Sequence, residues 1–244
     1  MPGMPESREF TLDQLTGRSR DHLTELSDPR CTLHKEAVAP FLALRAAAAA
    51  AGFDLVAVSS FRDFDRQLAI WNGKFRGVRP MQDRLGRALD AASLSPAEKV
   101  AAILCWSALP GASRHHWGTD FDVMDASALP AGYQLRMIPA EYLAGGPFHG
   151  LTTWLDAHMH AFGFFRPFHT DRGGVAPEPW HLSYAPVALR AQRALDVAQL
   201  RAVLAASDIE GKPQVLAELE QNFARYVVGV DPPPAAALAS PRLS

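Results

Sequence analysis

SRHHWGTDFDVMD, residues 113–125, packs two histidines and three aspartates around Trp117 and Gly118. FDVMD has the make-up of a short strand, and a turn at Gly118 brings His115, in the loop before it, beside Asp122 at the strand's start. Metal-dependent hydrolases of amides use three histidine or carboxylate ligands, leave a fourth position for water and add a nearby carboxylate as base. His115 and Asp122 supply two ligands, so the third must come from elsewhere in the chain. PEPWHLSY, residues 177–184, offers His181, with Glu178 three residues earlier as the base and Trp180 packed beside the site. Pro179 disfavours helical geometry at Glu178, so the segment reads as a loop running into a strand.

The regions around these two stretches are largely helical. KEAVAPFLALRAAAAAA, residues 35–51, is rich in strong helix formers, stops at Gly52 and carries Pro40 as a point of bending. FDLVAVSSF is a strand, and RDFDRQLAIWNGKF places Phe64, Leu68, Ile70, Trp71 and Phe75 at helical spacing. Residues 77–96 form an exposed connection. Ser95, Pro96 and Glu98 then open another helix with the signature of a capping box, which ends before Pro110. Residues 126–147 read as irregular, FHGLTTWLDAHMHAFG as an amphipathic helix ending at Gly163, and GFFRPF as a strand. A single helical pattern is expected over 186–206 and another over 213–226.

The fold class expected is α+β: a small, mostly antiparallel sheet carrying the site, flanked by helices, with a C-terminal helical appendage. The expected divisions are an N-terminal extension (1–34), a catalytic domain (35–185), helices packed on that domain (186–228) and an unstructured tail (229–244).

Composition excludes several classes of function. The chain has 244 residues, 48% of them apolar, which suits one substantial globular domain. Its 24 basic and 26 acidic residues form no long run of like charge, which argues against a nucleic-acid partner. The most apolar stretch, LALRAAAAAAGF, falls short of the roughly 20 residues that span a bilayer. The N-terminus lacks the basic and apolar regions of a secretory signal, so the protein is expected in the cytoplasm, or in the cell envelope by another route. Cys31 and Cys105 form either one disulfide or two free thiols.

The two site stretches together carry a resemblance. Ser113, His115, Gly118 and Asp122 reproduce the pattern SxHxxGxxxD, and Glu178, Trp180 and His181 reproduce ExWH. Both patterns are those of zinc D-alanyl-D-alanine carboxypeptidases of the VanY type, in a wider group with hedgehog-like domains and phage L-alanyl-D-glutamate peptidases. Upstream, SSFRDFDRQ is similar to the family's SGYRSxxxQ, so the likeness covers roughly residues 35–185. It implies a Zn2+ held by His115, Asp122 and His181, with Glu178 as base and Arg62 near the substrate. Asp120 departs from the family, which usually has a small residue there, and the departure bears on substrate choice.

Arg62 has two roles open to it: holding the developing oxyanion, or pairing with the terminal carboxylate of a peptide. Ser113, Ser60 and Gln67 join Arg62 and Trp180 as candidate substrate contacts, while His116 is a supporting or packing residue. The expected substrate is a peptidoglycan stem peptide or muropeptide, cut as a D,D- or L,D-carboxypeptidase. An endopeptidase and a non-catalytic zinc-binding domain are the alternatives.

Overall fold

The computed structural model describes residues 10–239 and 241. A capping box between Thr11 and Gln14 starts the short helix α1 (Leu12–Leu15), and β1 (Leu23–Ser27) pairs antiparallel with β2 (Arg30–His34). Helix α2 (Lys35–Ala50) follows at once and runs through Pro40, burying Ala37, Phe41, Leu44 and Ala48 along one side. Then come β3 (Leu55–Ser59) and α3 (Phe64–Phe75), the latter capped by the Asp63 carboxylate. The connection after α3 contains a two-stranded ladder, β4 (Met81–Gln82) with β5 (Ala88–Leu89). Helix α4 (Pro96–Leu104) opens with Ser95 and Glu98 capping each other, as their spacing predicts.

The remaining elements are β6 (Asp120–Asp125), α5 (His149–His158), β7 (Phe164–Phe165) and β8 (His181–Tyr184). They are followed by α6 (Ala185–Ala194), α7 (Val197–Ala205), α8 (Lys212–Ala217), α9 (Leu219–Asn222), a π-helical turn over Phe223–Val228, and α10 (Ala235–Leu238).

The main sheet has the order β3-β6-β8-β7 with every pairing antiparallel, so the fold is α+β. Side chains alternate between the two faces of a strand. Phe121, Val123 and Leu182 point into an apolar core with Phe41, Leu55 and Phe164, covered by α2 and α5. The Phe121 ring meets Phe41 and Phe164 edge-on at 4.9 and 5.4 Å, so Phe121 locks the middle of the sheet. The intervening residues, Asp120, Asp122, His181 and Ser183, therefore share the opposite face.

A second core lies between α3, α4 and the C-terminal helices. Trp71, Trp117, Leu104, Leu200 and Leu204 meet there, and the Trp71 indole donates to the carbonyl of Glu210 at 3.0 Å. Trp117 comes from the loop that carries His115, and its indole donates to the carbonyl of Leu15 at 3.2 Å, pinning the loop to this core.

Two expectations change and one open alternative is settled. The helical pattern over 186–206 is broken at Leu195, which is extended, because Asp196 and Gln199 form a capping box that starts α7 afresh. The expected tail is not wholly unstructured: α10 forms a turn there, and Ala237 is fully buried against Phe165 and Ala185. Cys31 and Cys105 are free thiols. Among the described residues, no helix is long and apolar enough to cross a membrane.

Candidate metal centre

The antiparallel register of β6 and β8 sets Asp122 directly opposite His181 and Asp120 opposite Ser183. On the other side of β6, a bulge between Ala57 and Ser59 shifts the pairing so that Ser59, too, stands opposite Asp122. His115 reaches the same place from a turn of 3-10 helix over Arg114–Trp117, which Gly118 ends with φ of 69°. A Cβ at Gly118 would sit 2.8 Å from the amide nitrogen of His34, and the Gly118 carbonyl accepts from that amide at 2.7 Å. Only glycine serves here, because β2 packs directly on the turn.

Glu178 and His181 are brought together by a β-turn. The His181 amide donates to the Glu178 carbonyl at 3.1 Å, with Pro179 at the second position, where its fixed φ fits. Arg166, itself paired with Asp156, clamps the turn by donating to the Pro179 carbonyl at 2.7 Å.

One ligand atom from each of His115, Asp122 and His181 lies within 4.8 Å of the others, and all three residues are buried. Asp122 Oδ2 is 3.5 Å from His115 Nε2, and Asp122 Oδ1 is 3.3 Å from His181 Nδ1. Ligand atoms about 2.0–2.2 Å from a tetrahedral zinc are about 3.4 Å from one another, so the spacing suits such an ion. Asp122 Oδ1 and His181 Nδ1 are buried without a hydrogen-bond partner. Buried polar atoms left unpaired in this way are what a cation between them would satisfy. Two imidazoles and a carboxylate are also the donor set that zinc accepts.

Each ring is fixed by its other nitrogen. His115 Nδ1 donates to the Ser60 carbonyl at 3.0 Å, leaving Nε2 to face Asp122. His181 Nε2 lies 2.9 Å from Asp120 Oδ1, leaving Nδ1 to face Asp122 and, at 3.4 Å, Glu178 Oε2. Asp120 is wholly buried and also accepts from Arg114 Nε at 2.7 Å and from the Thr119 hydroxyl at 2.5 Å. Arg114 in turn donates to Ser183 and Gln192 at 2.8 and 2.9 Å.

Burial pushes the His115 pKa down to about 3, despite the pull of Asp122. Burial also opposes a charge on His181, but its contact with Asp120 and the nearby carboxylates of Asp122 and Glu178 outweigh that and raise its pKa well above the usual value. Glu178 is raised by burial, with Asp122 adding to the effect and His181 and Arg62 opposing it. A carboxylate held high in this way is suited to accepting a proton.

Arg62 lines the cleft in front of His115, Asp122 and His181, together with Ser113, Glu178 and Trp180. Its guanidinium donates to Gln67 at 2.9 Å and Ser59 at 3.1 Å, and its backbone amide donates to the His115 carbonyl at 3.1 Å. His116 secures the same loop: Nδ1 donates to the Arg62 carbonyl at 2.6 Å, and Nε2 accepts from the Gly111 amide at 3.0 Å. Two candidate substrate contacts stand elsewhere. Gln67 has no exposed surface, and its amide bridges Arg62 to the Ala108 carbonyl, so it supports Arg62 from behind. The Ser60 hydroxyl accepts from the Thr32 amide; Ser59, not Ser60, lines the cleft. Asp120, expected to bear on substrate choice, sits behind His181 and away from the cleft wall. The two-residue period of a strand puts Asp120 on the same face as Asp122, and that signal was present in the sequence.

Residues 30–187 match the family model of VanY, D-alanyl-D-alanine carboxypeptidase. The chain belongs to the VanY family. An uncharacterized protein of Haemophilus influenzae is 47% identical over 104 residues, covering 41% of this chain and 71% of that protein. A D-alanyl-D-alanine carboxypeptidase of Enterococcus faecalis is 26% identical over 154 residues, covering 62% of this chain and only 47% of that longer protein. Among solved structures, VanYB in complex with D-alanine-D-alanine superposes with a TM-score of 0.50 at 22% identity, covering 70% of this chain and 81% of that one, and so shares its fold. The VanY match ends before α7, leaving most of the C-terminal helical segment outside it. That segment still reaches the cleft, where Tyr226 and Val227 of the π-helical turn line the wall.

Proposed function

We propose that this VanY-family protein is a zinc-dependent carboxypeptidase that removes a terminal D-amino acid from peptidoglycan stem peptides or their fragments. The observation that carries the reading is a buried set of His115, Asp122 and His181 at tetrahedral spacing, with the free carboxylate of Glu178 beside it. A bound zinc supplies Lewis acidity, polarising a carbonyl and easing deprotonation of water near pH 7.

The protein's own groups do the rest. Glu178, buried and raised in pKa, takes the proton of the attacking water and delivers it to the leaving amine. Arg62 stays charged at any working pH and is aimed by Gln67 and Ser59, so it meets negative charge without having to reorganise. Burial opposes its charge, and the carboxylates of Asp122 and Glu178 support it. Trp180, nearly buried against Tyr142, closes the site on one side and excludes water.

The test is incubation of zinc-loaded protein with defined tetra- and pentapeptide muropeptides, read by mass spectrometry. Loss of one D-alanine from the pentapeptide identifies D,D-activity, and loss from the tetrapeptide identifies L,D-activity. Glu178→Gln is expected to keep one zinc per chain while kcat falls at least a hundredfold, the contribution typical of a general base. Stoichiometric zinc with no cleavage of either peptide by the wild type would sink the enzyme reading.

A further inference from the structure

The cleft of about 500 Å³ in front of the metal ligands holds a second buried-side cation, and the proposed peptidase activity gives it no task. Lys74 lies on the face of α3 that also carries Gln67 and Trp71, at the spacing i, i+4, i+7. Gln67 holds Arg62 near the start of the helix, and Lys74 stands about 10 Å further along its axis. Both charges face the same cleft, with Gln67 resting on Ala108 and Lys74 on the neighbouring Ser107.

Lys74 Nζ donates to the Ser107 hydroxyl at 2.8 Å, and among the described residues no carboxylate is ion-paired with it. An ammonium has three donors, and one neutral hydroxyl leaves most of that capacity unused. Burial pushes the Lys74 pKa down, the charge of Glu178 counters this, and Arg62 and Arg79 press it down again. A half-buried cation among other cations is costly unless an anion joins it. Ser107 and the exposed Arg79 line the same cleft, so this part of it presents positive charge and a hydroxyl.

The geometry points to Lys74 as the anchor for a carboxylate of the bound peptide, which frees Arg62 for the oxyanion. This inference rests on the peptidase reading for its ligand. That ligand is a peptide carboxylate, and stem peptides present it from two sources: the chain terminus, or the side chain of a diaminopimelate at the third residue.

Binding separates the anchor from catalysis. Titration calorimetry on zinc-loaded Glu178→Gln is compared with Glu178→Gln/Lys74→Met and Glu178→Gln/Lys74→Arg, using a free-acid stem pentapeptide. A lost charge-assisted bond predicts about tenfold to hundredfold weaker binding for the Met variant and recovery of most of it in the Arg variant. If the terminal carboxylate is the ligand, amidating the peptide weakens binding to Glu178→Gln but leaves binding to the Met variant unchanged. If the side chain is the ligand, exchanging diaminopimelate for lysine does so instead. Equal binding with and without Lys74 overturns the anchor while leaving the peptidase reading intact. Lys74-dependent binding by a protein whose wild type cleaves nothing keeps the anchor and removes the hydrolase.

Discussion

His115 and His181 turn one ring nitrogen each toward Asp122, but the molecule fixes them by opposite means. The other nitrogen of His115 rests on a backbone carbonyl, that of Ser60, in a loop held by Arg62, His116 and Gly118. The other nitrogen of His181 rests on a carboxylate, Asp120, sealed in the core and paired with Arg114. The loop half therefore anchors its ring on a main-chain carbonyl, which no replacement of the Ser60 side chain removes. The strand half depends on a buried charged pair, which one replacement can break. The hydrogen bond to the second nitrogen selects which nitrogen ligates, so both halves orient a ligand, but Asp120 also brings full negative charge to it.

The largest effect tests what the halves share. His115→Ala and His181→Ala should each abolish stoichiometric zinc, measured by metal analysis after gel filtration, because two remaining ligands do not hold the ion. Retention of one zinc by either variant would break the ligand set.

A smaller effect tests where they differ. Asp120→Ala is expected to weaken zinc binding about tenfold to a hundredfold in competition with a chelator. It also leaves Arg114, only 5% exposed, as an uncompensated charge, so unfolding free energy should fall by about 3–5 kcal/mol in urea titration. Replacing both partners, Arg114→Met with Asp120→Ala, should return most of the stability and none of the zinc affinity. If affinity returns with stability, Asp120 acts only as a packing residue and the contrast between the halves dissolves.

The sequence made the loop half easier to read than the strand half. The spacing of His115, Gly118 and Asp122 is local, and a glycine turn is enough to join them. Pairing His181 with Asp122 requires the register of β6 on β8, which is set by Phe121 and Leu182 burying on the far face and cannot be read from either strand alone. The loop leading into β8 is legible from Pro179, which disfavours helical geometry at Glu178, and the start of α4 from its capping box. Gln67 and Ser60 look like substrate contacts in the sequence because a polar residue near a site can serve its neighbours in the chain as readily as a ligand. In the sequence Lys74 is a lone lysine late in an amphipathic helix, like any solvated charge, until the buried Gln67 and Trp71 show which face is turned inward. The break at Leu195 was written in Asp196 and Gln199, but the apolar period runs on through it and masks the stop.

The smallest effect is the one that separates the two rings most directly, because their metal-free pKa values move in opposite directions. His115 is lowered to about 3 by burial, and two neighbours behave alike: His116 and His34 are each lowered to about 4 by burial. A histidine lowered in the folded state binds protons better when unfolded. Its contribution is present above the ordinary pKa near 6.5 and is lost as pH falls toward the folded value. His181 is raised well above 6.5 by Asp120, Asp122 and Glu178 against the cost of burial, so its contribution is full below 6.5 and is lost as pH rises through the raised value. Zinc-stripped protein should therefore lose unfolding free energy on both sides of a maximum, with each lowered histidine contributing up to about 1.4 kcal/mol per pH unit on the acid side. Asp120→Asn removes the carboxylate next to His181 and should flatten the alkaline limb, touching the acid limb only below about pH 5, where Asp120's own lowered pKa acts, while His116→Gln should relieve the acid limb alone. Thermal melts from pH 4 to 9 in the presence of a chelator read both limbs, and equal responses of the two limbs to Asp120→Asn would mean that the strand histidine is not held by charge.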